Sequence, residues 1–122
     1  KEGIGELSAY CGVIPAAASS VCGIAFIKGE DKELIKEILK NALATNSGII
    51  CDGAKESCAI KIASSLKMAL FSYKQAKEGN SFKSGDGIVK DDVDDMIKTV
   101  GHIAMEGMKE TDEVILREMI GK

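Results

Sequence analysis

Glu30-Asp31-Lys32-Glu33-Leu34-Ile35-Lys36-Glu37-Ile38-Leu39-Lys40-Asn41-Ala42-Leu43 holds one periodicity from end to end. Leu34, Ile35, Ile38, Leu39, Ala42 and Leu43 recur at steps of three and four, which puts them on one stripe of an α-helix. Lys32, Glu33, Lys36, Glu37 and Lys40 fall opposite, and Glu30 with Asp31 places negative charge at the helix N-terminus, where unpaired amides favour it. The segment reads as an amphipathic helix lying as a solvated lid on a core.

Upstream of it, no charged residue occurs between Glu6 and Lys28. That length would permit a membrane span. Ser8, Gly12, Pro15, Ser19, Ser20 and Gly23 dilute the apolar character, so no membrane association is expected. Pro15 biases Ile14 away from helical dihedrals. Two short helices are predicted here, divided or kinked at Ile14 and buried on every side, with Ala16, Ala17 and Ala18 allowing close approach.

Downstream, Cys58, Ile62, Leu66, Leu70 and Tyr73 recur at helical steps between Ala54 and Lys74, which assigns Cys58 to a buried face. Residues 79–87 are Gly, Asn, Ser, Lys and Asp without period, a loop and the segment most open to disorder. Asp91, Asp92, Asp94 and Asp95 open a further helix with Val93, Met96, Ile97, Val100, Ile103 and Ala104 inside, interrupted by Gly107. Thr111, followed by Asp112 and Glu113, is the predicted N-cap of a short last helix through Ile120.

These elements sum to an all-α fold, a compact bundle of about five or six helices forming a single domain over residues 1–122. Composition agrees: the 122 residues include one Pro and only five aromatics, which leaves few strand-formers and, apart from 13 Gly, almost no helix-breakers. Sixteen Lys and Arg are interspersed among 19 Asp and Glu, for a net charge of -3. Such a surface has no phosphate-tracking basic face, and nucleic acid is not an expected partner. The chain starts at Lys1 and shows no secretory leader pattern, which reads as a piece of a longer, cytoplasmic protein.

Four cysteines in such a context suggest reduced thiols with a metal or catalytic use. Cys51 and Cys58 are seven residues apart; on one continuous helix their sulfurs would stand about 10 Å apart along the axis. Asp52-Gly53 relieves this, because Gly permits a sharp turn and Asp can cap the helix that follows, letting Cys51 fold back toward Cys58. A thiolate beside a helix N-terminus is also stabilised by the unpaired amides. By spacing alone, small core hydrophobes account for the pair as well as metal ligands do.

The stretch Gly48-Ile49-Ile50-Cys51-Asp52-Gly53-Ala54-Lys55-Glu56-Ser57-Cys58-Ala59-Ile60-Lys61 resembles the signature of the L-cysteine desulfidase family, within the wider iron-sulfur L-serine dehydratase alpha-subunit group. Ala9-Tyr10-Cys11-Gly12, Gly101-His102-Ile103 and Gly107-Met108-Lys109-Glu110-Thr111-Asp112 agree in order. The resemblance spans nearly the whole chain but only the C-terminal part of a family member, so an N-terminal part of the same protein is an expected partner. It implies a four-iron, four-sulfur cluster held by Cys11, Cys51 and Cys58, with one iron open to substrate. The implied reaction is pyridoxal-free β-elimination from an amino acid, giving pyruvate, ammonia and either sulfide or water. Cys22 matches no ligand position of the family and reads as a core residue.

No catalytic base is identified by these residues. Asp52 reads as a helix cap, Lys55 and Lys61 as a solvated helix face, and His102 as a core or edge histidine. Two other functions stay open: a structural zinc domain using Cys11, Cys51, Cys58 and His102, and a metal-free helical interaction module. Because the inner helices carry little polar surface, an uncovered apolar face and a homo-oligomer are also expected.

Overall fold

The computed structural model describes residues 9–121. The chain forms α1 (Val13–Ile27), α2 (Lys32–Asn46), α3 (Ser57–Lys77), α4 (Val93–His102) and α5 (Lys109–Ile120), with a π-helical turn at Ile103–Gly107 between the last two. This is the predicted all-α bundle. Among the described residues the only extended pairing is an antiparallel bridge between Tyr10 and Ile50.

The connection between α1 and α2 sets the frame. Gly29 takes φ +81°, a left-handed turn that suits glycine, and the Asp31 carboxylate accepts from the Leu34 amide at 2.8 Å, starting α2 at once. Both helices have 15 residues, about 22 Å each. Equal helices joined by a short turn end level, so the segment before α1 meets the segment after α2. There the Cys11 amide donates to the Ile49 carbonyl at 3.0 Å and the Cys51 amide to the Ala9 carbonyl at 2.6 Å.

Pro15 does not divide α1. It stands in the first turn, where helix amides have no intrahelical partner to lose, so Ile14 is helical and buried. Nor is α1 buried on every side. Ile14, Ala17, Ala18, Val21 and Ala25 face the interior, while Ser19, Ser20, Phe26 and Ile27 are exposed.

Instead of being a lid, α2 is central and packs against α1, α3 and α4. Lys40, expected on the solvated face, is buried: its ammonium meets Glu37 at 3.0 Å and donates to the Asp91 carbonyl at 3.1 Å. The neighbouring Asn41 donates to the Asn80 carbonyl at 3.2 Å and accepts from the Phe82 amide at 3.0 Å. Two polar side chains of α2 thus fasten the irregular 79–92 segment, which includes the 79–87 loop read as the most open to disorder. A hydrophobic period cannot register polar residues whose partners are a distant backbone.

The inner face of α3 is also different from the predicted stripe. Ser65, Ala69, Ser72 and Ala76 are buried, whereas Ile62, Leu66 and Leu70 are 53%, 38% and 44% exposed. Small residues let α1, α2 and α3 approach closely, meeting Ala17, Ala18, Ala25 and Ala42 in an alanine-rich cluster. The large apolar side chains, with Ile60 and Phe71, are left on the outside.

Within the acidic run expected to open α4, Asp92 is the cap, its carboxylate accepting from the amides of Asp94 and Asp95 at 2.8 and 3.2 Å. Met96, Val100 and Ala104 pack inward around Cys11, while Ile97 and Ile103 are exposed. At Gly107 the chain widens into the π turn, with the Met108 amide donating to the Ile103 carbonyl at 2.9 Å. Met108 leaves helical geometry for one residue, at φ -100° and ψ 6°, and α5 starts at Lys109 without a side-chain cap. Thr111 lies inside the helix, not at its N-cap. None of α5 is buried.

Two substitutions test this packing by urea unfolding. Asn41→Ala strands the Asn80 carbonyl and Phe82 amide and should lower stability by about 2 kcal/mol. Ser65 Oγ is buried without a hydrogen-bond partner among the described residues, so Ser65→Ala should raise stability by on the order of 1 kcal/mol.

Candidate functional site

Side chains alternate along extended backbone, so the residues flanking the Tyr10 and Ile50 pair leave the opposite side from it. Cys11 and Cys51 are two of these flanking residues, in diagonal positions on one face. Cys11 is buried in the cluster with Ile14, Met96 and Val100, and half-buried Cys51 packs against that cluster. On the other side, the buried Tyr10 hydroxyl lies 2.8 Å from Ser47 Oγ, and burial raises its pKa above the ordinary 10.0.

After Cys51 the chain turns sharply at Gly53, whose φ of +97° is the left-handed geometry expected of Asp52-Gly53. Met119 of α5 lies over this turn, its methyl 3.6 Å from where a Gly53 Cβ would stand. Cys58 occupies the first turn of α3 and its thiol donates to the Gly53 carbonyl at 3.4 Å. Cys51 therefore precedes the helix, ahead of the Gly53 turn. Cys58 itself is half-buried, not enclosed as the stripe implied.

Asp52 caps nothing: α3 starts after Glu56 without a side-chain cap. Its carboxylate instead faces Lys61 at 2.8 Å and Lys55 at 3.3 Å. Lys61 lies about one helical turn beyond Cys58. Its ammonium also donates to the Ile50 carbonyl at 3.0 Å, so one side chain holds both neighbours of Cys51. The Lys61 side chain is 21% exposed against 42% for Lys55, so Lys55 keeps the expected solvated position and Lys61 does not.

Hydrogen bonds from Lys61 first and Lys55 second hold Asp52 below the ordinary 3.8. Lys61 is raised above 10.5, chiefly by its bond to Asp52, with further contributions from the charges of Cys11 and Cys58. A single ammonium thus lies in the field of two of the cysteines. The hint available in the sequence was positional: Lys61 follows Cys58 by three residues on one helix, and its counter-charge adjoins Cys51.

Cys22 belongs elsewhere. It packs with the alanine-rich cluster, its thiol donates to the Ile35 carbonyl at 3.8 Å, and burial pushes that thiol up. His102 ends α4 on the surface, an edge position.

Among the described residues, no three His, Cys, Asp or Glu side chains stand close enough to share one metal ion. A closed zinc site requires such convergence. A sulfur-bridged iron cluster has different demands, because each thiolate binds its own iron at a separate corner. Two thiols on one face of the bridge, a third on the adjoining helix and a nearby ammonium suit an anionic, thiolate-held group. The one adjacent carboxylate is already engaged by two lysines.

Fold and site together define a helical domain that packs Cys11 and Cys51 into one cluster at the open end of a helix hairpin. The chain belongs to the serine dehydratase alpha chain family, whose description matches residues 1–117. It is similar to a UPF0597 protein of Treponema denticola, 52% identical over 120 residues, covering 98% of this chain and 28% of that protein. A UPF0597 protein of Finegoldia magna is 46% identical over 122 residues, covering all of this chain and 29% of that one. The chain thus spans less than a third of the length of these relatives. No solved structure matches it. Among the described residues no helix is long and apolar enough to cross a membrane.

The Asp52 and Lys61 pair has a defined pH window. The depressed Asp52 contributes stability above its unfolded value near 3.8, lost as pH falls through the lower folded value. The raised Lys61 contributes below 10.5, lost as pH rises through the higher folded value. A carbon-13 titration of Asp52 in the metal-free chain should show a midpoint below 3.8 that moves upward in Lys61→Met. An unchanged midpoint in that variant would contradict the pairing.

Proposed function

We propose that this chain is the cluster-binding, C-terminal part of an iron-sulfur L-cysteine desulfidase or L-serine dehydratase-like lyase. Such an enzyme eliminates sulfide or water from its amino-acid substrate and leaves pyruvate and ammonia. The observation that supports this most directly is the bridge at the open end of α1 and α2, which sets Cys11 and Cys51 on one face next to the start of α3, where Cys58 lies. Membership of the serine dehydratase alpha chain family supports it independently.

In this reading Cys11, Cys51 and Cys58 hold a four-iron, four-sulfur cluster. When bound, the cluster supplies a Lewis-acidic iron for the departing thiol or hydroxyl. The chain's own residues enclose and orient. Cys11, buried among Ile14, Met96 and Val100, keeps water from one side of the site. Cys58 is held in the first turn of α3, and Cys51 by the backbone hydrogen bonds of the bridge. Asp52 is held as an anion between Lys55 and Lys61 and does not serve as the base that removes the Cα proton. That base and the substrate-binding groups belong to the remainder of the polypeptide, which also covers the apolar outer faces of α3 and α5.

The test is anaerobic reconstitution of the full-length polypeptide with ferrous iron and sulfide. About four irons with matching acid-labile sulfide are expected per chain. Replacing Cys11, Cys51 or Cys58 with Ser should reduce the iron content and abolish release of pyruvate. Cys22→Ser should keep its iron and cost only stability, about 1 to 3 kcal/mol for a hydroxyl in an apolar site. Stoichiometric zinc without labile sulfide, or full iron content in Cys11→Ser, would overturn the proposal.

A further inference from the structure

We infer that Lys61 is a positioning residue of the cysteine site: its ammonium ties the Cys51 segment to α3 and offsets the negative charge of the thiolates when they are ligated. The inference rests on the cluster reading above.

The geometry carries it. Lys61 projects from α3, the helix that bears Cys58, and reaches the Ile50 carbonyl at 3.0 Å and Asp52 Oδ1 at 2.8 Å. Ile50 and Asp52 are the residues on either side of Cys51. A cluster that binds Cys51 and Cys58 together needs a fixed separation between the extended segment and the helix. Besides the chain turn at Gly53, this side chain spans that gap with two hydrogen bonds. Isolated exposed ion pairs contribute little. Lys61 differs in being largely covered and in having a backbone carbonyl as a second acceptor, which does not titrate away.

Charge supplies the second part. Three thiolates on one cluster concentrate negative charge, and a neighbouring cation lowers the cost of holding it. Lys61 follows Cys58 by three residues on α3 and bonds both chain neighbours of Cys51, so its ammonium lies beside the segments that carry these two sulfurs. Lys55 does not share this role: it reaches Asp52 alone, from a more exposed position.

The experiment compares wild type with Lys61→Met, Lys61→Arg and Asp52→Asn in the reconstituted full-length polypeptide. Cluster absorbance is followed after addition of EDTA, and reduction potentials are measured. Lys61→Met should lose its cluster about tenfold faster than wild type, the usual scale for an outer-shell partner of a metal ligand. Its potential should move negative, because a cation favours the more negative reduced state, and Lys61→Arg should restore both most of the lifetime and the potential. Circular dichroism of the cluster-free forms should be the same for all. Should Lys61→Met not fold, Asp52→Asn leaves the ammonium one anchor and should show a smaller acceleration in the same direction. Wild-type lifetime and potential in Lys61→Met would overturn this inference while leaving the proposed function standing. A wild-type protein that takes up no iron and sulfide overturns the proposed function and this inference with it.

Discussion

The equal length of α1 and α2 is the constraint on which the site depends. Two 15-residue helices joined through Gly29 and Asp31 finish at the same height, and only then do residues 9–11 and 49–51 lie alongside one another. One residue more or less in either helix would displace its end by about 1.5 Å and rotate it by about 100°. The bridge amides would then miss their carbonyls and the thiols would no longer share a face. A site made of extended backbone is thus set by the arithmetic of helices.

Packing divides the labour between two clusters. Around Ala18, Val21, Ile38 and Ala69, small side chains bring α1, α2 and α3 into close contact and keep the helix pair straight. Around Cys11, Ile14, Met96 and Val100, larger side chains seat α4 against the bridge and enclose one thiol. The first cluster secures the geometry, the second supplies a dry wall. Cys22 lies in α1 and Cys11 just before it, yet they belong to different clusters, which is why one thiol bonds to a neighbouring helix carbonyl and the other packs beside the bridge.

Much of this is legible in the residues. The Leu34 to Leu43 period, the acidic run that opens α4 and the Asp52-Gly53 turn are local signals, and all three appear as read. What failed were judgements about which face of a helix is covered. On α3 the large apolar stripe looked like the core, but close helix approach selected the Ser65, Ala69, Ser72, Ala76 side, since contact distance rewards small side chains that hydropathy ranks low. Lys40 and Lys61 looked like solvated polar residues because their acceptors are backbone carbonyls 51 and 11 residues away in the chain. Spacing and the family resemblance pointed to Cys11, Cys51 and Cys58, but no period could have announced that a lysine would hold the segment between them.

The bridge joins residues 40 apart in the chain. Closing a free loop of that length costs roughly 3 kcal/mol in chain entropy, more than the two backbone hydrogen bonds return at about 1 kcal/mol each. Docking α1 on α2 removes nearly all of that entropy beforehand, because the loop to be closed then shrinks to the few residues beyond the helix ends. The order of assembly follows from the topology: the helix pair zips from its turn by local contacts, and the cysteines meet last, as the final stitch of a hairpin that is already formed.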